Sequence, residues 1–138
     1  MKIMFILGTR PEAIKMAPVI LEMQKYPEQL ETKVCVTGQH RQMLDSALNT
    51  FGIEPDYDLD LMRPNQNPEG LTASLISHLT PVLHQAAPDW VLVQGDTTTA
   101  MVGSLVAYYQ RRCIGHIEAG LRTGNRFQPF PEEINRKI

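Results

Sequence analysis

Lys2-Ile3-Met4-Phe5-Ile6-Leu7-Gly8-Thr9-Arg10-Pro11-Glu12 opens the chain with a near-continuous apolar run that ends in a glycine and a helix-starting signal. A strand with no polar face reads as buried on both sides, the pattern of a parallel strand between two layers of helix. Thr9 with Glu12 has the spacing of a capping box. It predicts a helix from about Pro11 to Tyr26, with Ile14, Ala17 and Leu21 at helical spacing and Pro18 as a kink; the restriction Pro11 places on its neighbour leaves Arg10 as an alternative cap. The same device recurs downstream. Trp90 to Gln94 runs into Gly95-Asp96-Thr97-Thr98-Thr99, and Arg112 to Ile117 runs into Glu118-Ala119-Gly120. Each apolar strand is followed by a polar loop, and in an open α/β sheet that end of the strands is where ligands sit.

Further strands are predicted at 31–37 and 56–61. Further helices are predicted at 41–51 (closed by Gly52), at 71–87 (ended before Pro88) and at 98–110. The stretch 62–69, with Pro64, Asn65, Asn67 and Pro68, reads as a loop. Strand and helix alternate without internal repeats, which predicts an α/β fold: a Rossmann-like parallel sheet of at least five strands with helices on both faces. The chain has 138 residues, the size of one domain with a single core. Its last residues, Phe130 to Ile138, start a helix with Pro131 and two acids and stop after about two turns. This ending predicts a piece of something longer.

Composition narrows the partners. A formal net charge of -2 gives no electrostatic reason to expect nucleic acid or an anionic membrane. The longest apolar runs are far too short to span a bilayer, and Met1-Lys2 leads straight into a strand without a signal-peptide pattern. Cys35 and Cys113 both sit in strand-like runs and read as small buried hydrophobes in a reducing compartment, which predicts a cytoplasmic protein.

Several residues are candidates for chemistry. Gly8 and the helix start after it form an anion site on free amides, with Arg10 and Lys15 beside it; Glu12 and Lys15 also have the spacing of a surface ion pair. Asp96 reads either as a site carboxylate or as the N-cap of the helix starting near Thr98. Glu118, between Ile117 and Ala119, has little surface helix to decorate. Glu132 and Glu133 read as first-turn acids or as site residues, and His116 as a packed, hydrogen-bonded strand residue. Asp96, Glu118 and Glu132 would bring three carboxylates to one crevice with Arg10 opposite. Carboxylates in a partly desolvated cleft have their pKa values pushed apart, so that one accepts a proton while another donates. No His/Cys cluster has metal-ligand spacing.

Taken together, GTRPEAIKMAP (8–18), VCVTGQHRQMLD (34–45), PDYDLDLM (55–62), GDTTT (95–99), GHIEAGLRTG (115–124) and PFPEEINR (129–136) resemble the bacterial non-hydrolysing UDP-N-acetylglucosamine 2-epimerases. The resemblance runs the length of the chain. It implies the N-terminal half of a GT-B fold, two Rossmann-like domains facing each other across a cleft, with the C-terminal UDP-binding domain absent here. The implied reaction interconverts UDP-N-acetylglucosamine and UDP-N-acetylmannosamine without cofactor or metal. The proton at sugar C2 is removed, UDP is expelled to give a bound 2-acetamidoglucal, and UDP adds back with the proton delivered to the opposite face. By position, Asp96, Glu118 and Glu132 match the family's catalytic acids, and Arg10 and Lys15 its nucleotide-sugar contacts. Gln39 and Gln42, with Glu132, match an allosteric site that takes a second substrate molecule. The loop at 64–67 lacks the basic residue some regulated members place there. The family's homodimers and its supply of N-acetylmannosamine for surface polysaccharide are further implications.

Other readings stay open at this stage. A hydrolysing epimerase would release free N-acetylmannosamine and UDP from the same elimination, and the QHRQM motif favours the non-hydrolysing branch only by resemblance. A GT-B glycosyltransferase shares the fold but has no need of this trio of acids. The chain by itself could also be a binding or dimerisation piece without turnover.

Overall fold

The computed structural model describes every residue except Gln39, His40, Met62, Pro64, Asn65 and Ala119, together with the side chain of Arg41. Its elements are β1 (Lys2–Leu7), α1 (Arg10–Met23), β2 (Glu31–Val36), α2 (Arg41–Phe51), β3 (Tyr57–Asp58), α3 (Pro68–Ala86), β4 (Trp90–Gln94), α4 (Thr98–Tyr109), β5 (Cys113–Ile117) and α5 (Glu132–Asn135). The five strands form one parallel sheet in the order β3-β2-β1-β4-β5. Phe5 stands opposite Val34 on one side and Leu92 on the other.

β1 is central, and its two faces feed two separate cores. Ile3, Phe5 and Leu7 pack with Ala13, Met16 and Ile20 of α1 and with Leu44 and Leu48 of α2. Met4 and Ile6 pack with Leu75, Leu79 and Leu83 of α3 and with Val102 and Val106 of α4. This two-sided burial is why the first strand has no polar rung. Each fully buried large side chain contributes about 1.5–3 kcal/mol. The helical sandwich around β1, not the two-residue β3, therefore carries the fold.

The chain builds outward from β1 to β2 and β3, then crosses back through α3 to place β4 on the other flank of β1. The strand order thus reverses between β1 and β4, and a crevice opens above that switch point at the carboxyl ends of the strands. Gly8 lies there, and a Cβ on it would come within 2.4 Å of Thr99 Oγ1. Gly95 leaves β4 at φ +73°, a backbone state that favours glycine.

Several boundaries differ from the expected ones for local reasons. α1 ends at Met23, three residues short of Tyr26. β3 shrinks to two residues because Asp60 takes a left-handed φ of 46°, although the Leu59 and Leu61 amides still donate to the carbonyls of Val36 and Thr37. α3 starts earlier than expected, because the Asn67 side chain caps it by accepting from the Gly70 amide at 2.8 Å with Pro68 in the first turn. The final helix is a single turn. Cys35 is buried as expected, and burial pushes its thiol up to about 12. Cys113, by contrast, is exposed, and so is His116, because β5 is the edge strand of the sheet. No described helix is long and apolar enough to cross a membrane.

Candidate active site

A cavity of about 490 Å³ occupies the crevice, and Glu12, Lys15, Gln94, Asp96, Glu118 and Arg136 are among the residues that line it. Each comes from a segment the fold brings to the switch point. Glu12 and Lys15 ride on the first two turns of α1, Gln94 and Asp96 bracket Gly95 at the end of β4, and Glu118 follows β5. Arg136 comes from the single-turn α5 region, which folds back over the β4 end.

Two ion pairs organise the cavity. Lys15 Nζ pairs with Glu118 Oε2, and Gln94 Nε2 donates to the same oxygen at 2.6 Å. The Lys15 ammonium, chiefly through its hydrogen bond, holds the Glu118 carboxyl below the usual carboxylate range, against the opposing effect of partial burial. Glu118 is therefore ionised at neutral pH and half exposed, a carboxylate able to accept a proton. Its φ of 57° places a non-glycine residue in the left-handed region. Strain of this kind persists only where the surroundings fix the residue, and it is frequent at functional sites. Asp96 Oδ2 pairs with the Arg136 guanidinium, while Asn135 Nδ2 donates to the Asp96 carbonyl at 2.9 Å. One turn of helix thus holds both the side chain and the backbone of Asp96.

Expected and observed placements divide clearly. Asp96, Glu118 and Lys15 share the cavity. Asp96 is not the cap of α4: Thr97 is, its Oγ1 accepting from the Ala100 amide at 3.0 Å, which leaves the Asp96 carboxylate to Arg136. Lys15 pairs with Glu118 and not with Glu12. Arg10 does not stand opposite the carboxylates. It is exposed and lines a separate cavity of about 320 Å³ between α1 and α2, together with Gln42. Met43 borders both cavities. Gln39 lies outside the described residues. Glu132 is half-buried at the start of α5 and does not line the main cavity, so the three carboxylates do not all meet there; its Oε2 is buried without a hydrogen-bond partner. His116 is hydrogen-bonded as expected, Nε2 donating to the Gly95 carbonyl at 2.5 Å, but its ring is exposed.

The free-amide reading of the α1 start also changes. Glu12 Oε2 accepts from the Gly8 amide at 2.8 Å and the Thr9 amide at 2.5 Å, so these two donors are already taken. Glu133, fully buried, accepts from the Thr123 amide at 2.9 Å, the Gly124 amide at 3.2 Å and Lys137 Nζ at 3.2 Å. The Thr123 amide leads in drawing its carboxyl down to about 2, with burial opposing. It is a loop anchor and not a surface first-turn acid. Residues that sequence reasoning passed over are Glu12, Gln94, Asn135 and Arg136. Only Glu12 left a signal, its capping-box spacing.

Comparison with known proteins bears on this geometry. A family profile described as UDP-N-acetylglucosamine 2-epimerase matches residues 22–138. The UDP-N-acetylglucosamine 2-epimerase of Neisseria meningitidis serogroup A is 56% identical over all 138 residues, and that of Bacillus subtilis 52%. The chain spans 37% and 36% of those two relatives, a little over a third of their length. The crystal structure of UDP-GlcNAc 2-epimerase from Neisseria meningitidis bound to UDP-GlcNAc is similar at a TM-score of 0.94 and 57% identity, covering 99% of this chain and 37% of that one.

Proposed function

This chain belongs to the UDP-N-acetylglucosamine 2-epimerase family, and we propose that it is the N-terminal Rossmann-like wall of a two-domain, GT-B enzyme that interconverts UDP-N-acetylglucosamine and UDP-N-acetylmannosamine. The observation that carries the reading is the pair of carboxylates, Asp96 and Glu118, held by opposite cations in one cavity at the switch point. A proton on C2 beside an acetamido group is weakly acidic, so its removal needs a positioned base, and departure of UDP needs electrostatic stabilisation. Glu118, half exposed in the cavity, is the candidate base for that proton, and its pairing with Lys15, which lowers its proton affinity, must loosen for it to act. Asp96, on the β4 loop of the same cavity, is suited to serve the opposite transfer when UDP adds back, delivering a proton drawn from solvent while Glu118 returns its own to solvent. Glu132, which matches a catalytic acid by position, does not line this cavity and its Oε2 is buried, so the reading rests on the other two carboxylates. Arg10 and Gln42 share the neighbouring cavity of about 320 Å³, which we assign to the second nucleotide-sugar molecule. A homodimer working in the cytoplasm, with no nucleic-acid or membrane partner and no cofactor, completes the reading.

The test uses the complete polypeptide in D₂O. Glu118→Gln preserves folding but suppresses exchange of the C2 proton, a general acid/base group being worth about 10²–10⁴-fold. Normal exchange and turnover in that variant remove Glu118 from the chemistry. Recovery of UDP-sugar as product supports epimerisation, and recovery of free N-acetylmannosamine supports the hydrolysing alternative. The 138-residue chain assayed alongside has little turnover and weak binding, since a diphosphate facing one wall stays open to water. Full activity of the short chain refutes the two-wall reading.

A further inference from the structure

Among the described residues that line the crevice, Glu12 is the charged side chain to which the chemistry above gives no task, and it is 1% exposed. Burying a carboxylate is unfavourable unless its oxygens are answered, and burial accordingly raises the affinity of Glu12 for its proton. The groups that answer it are neutral donors from two different loops. Oε2 takes the Gly8 and Thr9 amides at the end of β1. Oε1 takes the Thr97 hydroxyl at 2.6 Å at the end of β4. Thr97 Oγ1 in turn accepts from the Ala100 amide and starts α4. The starts of α1 and α4, whose N-terminal ends favour a negative charge, are thereby tied to one carboxylate at the point where the strand order reverses.

A helix cap does not require this. A glutamate at the third helical position completes a capping box by reaching back to one amide with one oxygen; here the second oxygen leaves the helix and crosses to the neighbouring strand's loop. That loop carries Asp96, next in sequence to Thr97, and α1 carries Lys15, one turn beyond Glu12 and bonded to Glu118.

We propose that Glu12 is a positioning residue: its carboxylate clamps the β1–α1 loop to the β4–α4 loop and so sets the spacing across the crevice between the Lys15–Glu118 pair and Asp96. The proposal rests on the reading in which those groups carry the epimerisation. All three partners of Glu12 are donors, so the clamp needs an acceptor-only side chain. Glutamine has the same shape but loses the charge and one acceptor: with its oxygen on the Gly8 and Thr9 amides, its NH₂ meets Thr97 Oγ1, whose own proton then loses its acceptor. A misplacement of about 1 Å at a reacting centre costs on the order of 10²-fold in rate.

The experiment uses the complete polypeptide with Glu12→Gln, Thr97→Val, Thr97→Ser and the double variant Glu12→Gln/Thr97→Val. Glu12→Gln and Thr97→Val each lower kcat about 10- to 100-fold with KM within about twofold of the unmodified enzyme. Thr97→Ser, which keeps the hydroxyl, restores kcat, and the double variant is no worse than the poorer single one, because both break one connection. Amide hydrogen exchange gives a readout independent of turnover. Glu12→Gln lowers protection at Ala100, and Thr97→Val lowers it at Gly8 and Thr9, each across the crevice from the change. The clamp is overturned by a kcat within twofold of normal in folded Glu12→Gln or Thr97→Val, by losses that multiply in the double variant, or by protection changes confined to the mutated loop. An unmodified complete enzyme without epimerase turnover defeats the functional reading instead, and the exchange measurement still decides the clamp. If Glu12→Gln does not fold, the Thr97 pair carries both readouts.

Discussion

Gly8→Ala tests whether the crevice floor is as tightly built as its contacts indicate. A Cβ at this position meets Thr99 Oγ1 at 2.4 Å, and Thr99 Cβ and Thr37 Oγ1 each at 2.9 Å. Non-bonded carbon contacts are favourable only near 3.5–4.0 Å, so the overlap approaches one ångström. A change of Thr99 rotamer moves the hydroxyl but not the Cβ, which is fixed to the first turn of α4. Both threonines are buried, at 0% and 1% exposure, and their hydroxyls share a hydrogen bond of 3.1 Å. Overpacking of this kind costs about 1–3 kcal/mol, and loss of the Thr37–Thr99 bond adds about 1 kcal/mol. An unfolding entropy of about 2.1 cal/mol/K per residue gives roughly 0.3 kcal/mol/K for a chain of this length. The melting temperature of the 138-residue protein, followed by circular dichroism, therefore falls by about 7–13 °C. Adding Thr99→Ala removes the worst contact, so the double variant loses about 1 kcal/mol less than the two single changes added together. A drop below about 2 °C, or strict additivity, shows that the β1 end relaxes freely and that the crowding is not a constraint on the floor.

Glu133 makes stability fall on the acid side. Its folded pKa of about 2 lies below the ordinary 4.5, so its contribution is present above about pH 4.5 and is lost as the pH falls toward 2; thermal midpoints of Glu133→Gln across that window lack this acid limb, and an unchanged limb refutes the anchor. Glu12 acts with the opposite sign: its pKa is raised, so its ionisation weakens the fold as pH rises above 4.5, and comparison with Glu12→Gln separates the two. A thiol reagent at neutral pH labels one cysteine in the native chain, the exposed Cys113, and both in denaturant, because Cys35 is buried with its thiol pushed up to about 12. Rapid native labelling of both shows that the α3–α4 face of the core opens readily.

The parallel sheet was legible because β1 has two buried faces and therefore no polar rung, and because glycines mark where strands β1 and β4 end. Asp96 and Glu118 were legible because a charged residue just after a strand's carboxyl end has a fixed address in this topology, and Lys15 follows in the second turn of the helix after β1. What hid the rest is that the site's contacts are long-range. Nothing near Arg136 in sequence announces Asp96, forty residues away, and Glu12 looks like an ordinary cap partner until Thr97 arrives from β4. The exposure of Cys113 and His116 was hidden too, since an apolar strand at the edge of the sheet has the same composition as a central one. Arg10 was placed by its position after β1, but α1 turns it toward α2, away from the two carboxylates.

The charges of the crevice are closed on themselves, which constrains how a substrate enters. Lys15 sits on Glu118 and Arg136 on Asp96, so neither cation is available to an incoming phosphate without loosening a carboxylate. The α1 amides at Gly8 and Thr9 are likewise spent on Glu12. This wall therefore offers a nucleotide-sugar few unengaged cationic or amide donors, while it presents carboxylates suited to proton transfer. Under the proposed function, a wall of that kind handles the sugar, and the strongly anionic diphosphate takes its donors from the facing domain. Recognition and chemistry would then be divided between two walls, and the carboxylates would change partners only when both walls hold the same ligand. Coupling of this sort keeps a proton-abstracting base paired and quiet until a substrate is enclosed, which is when water exclusion makes its charge most effective.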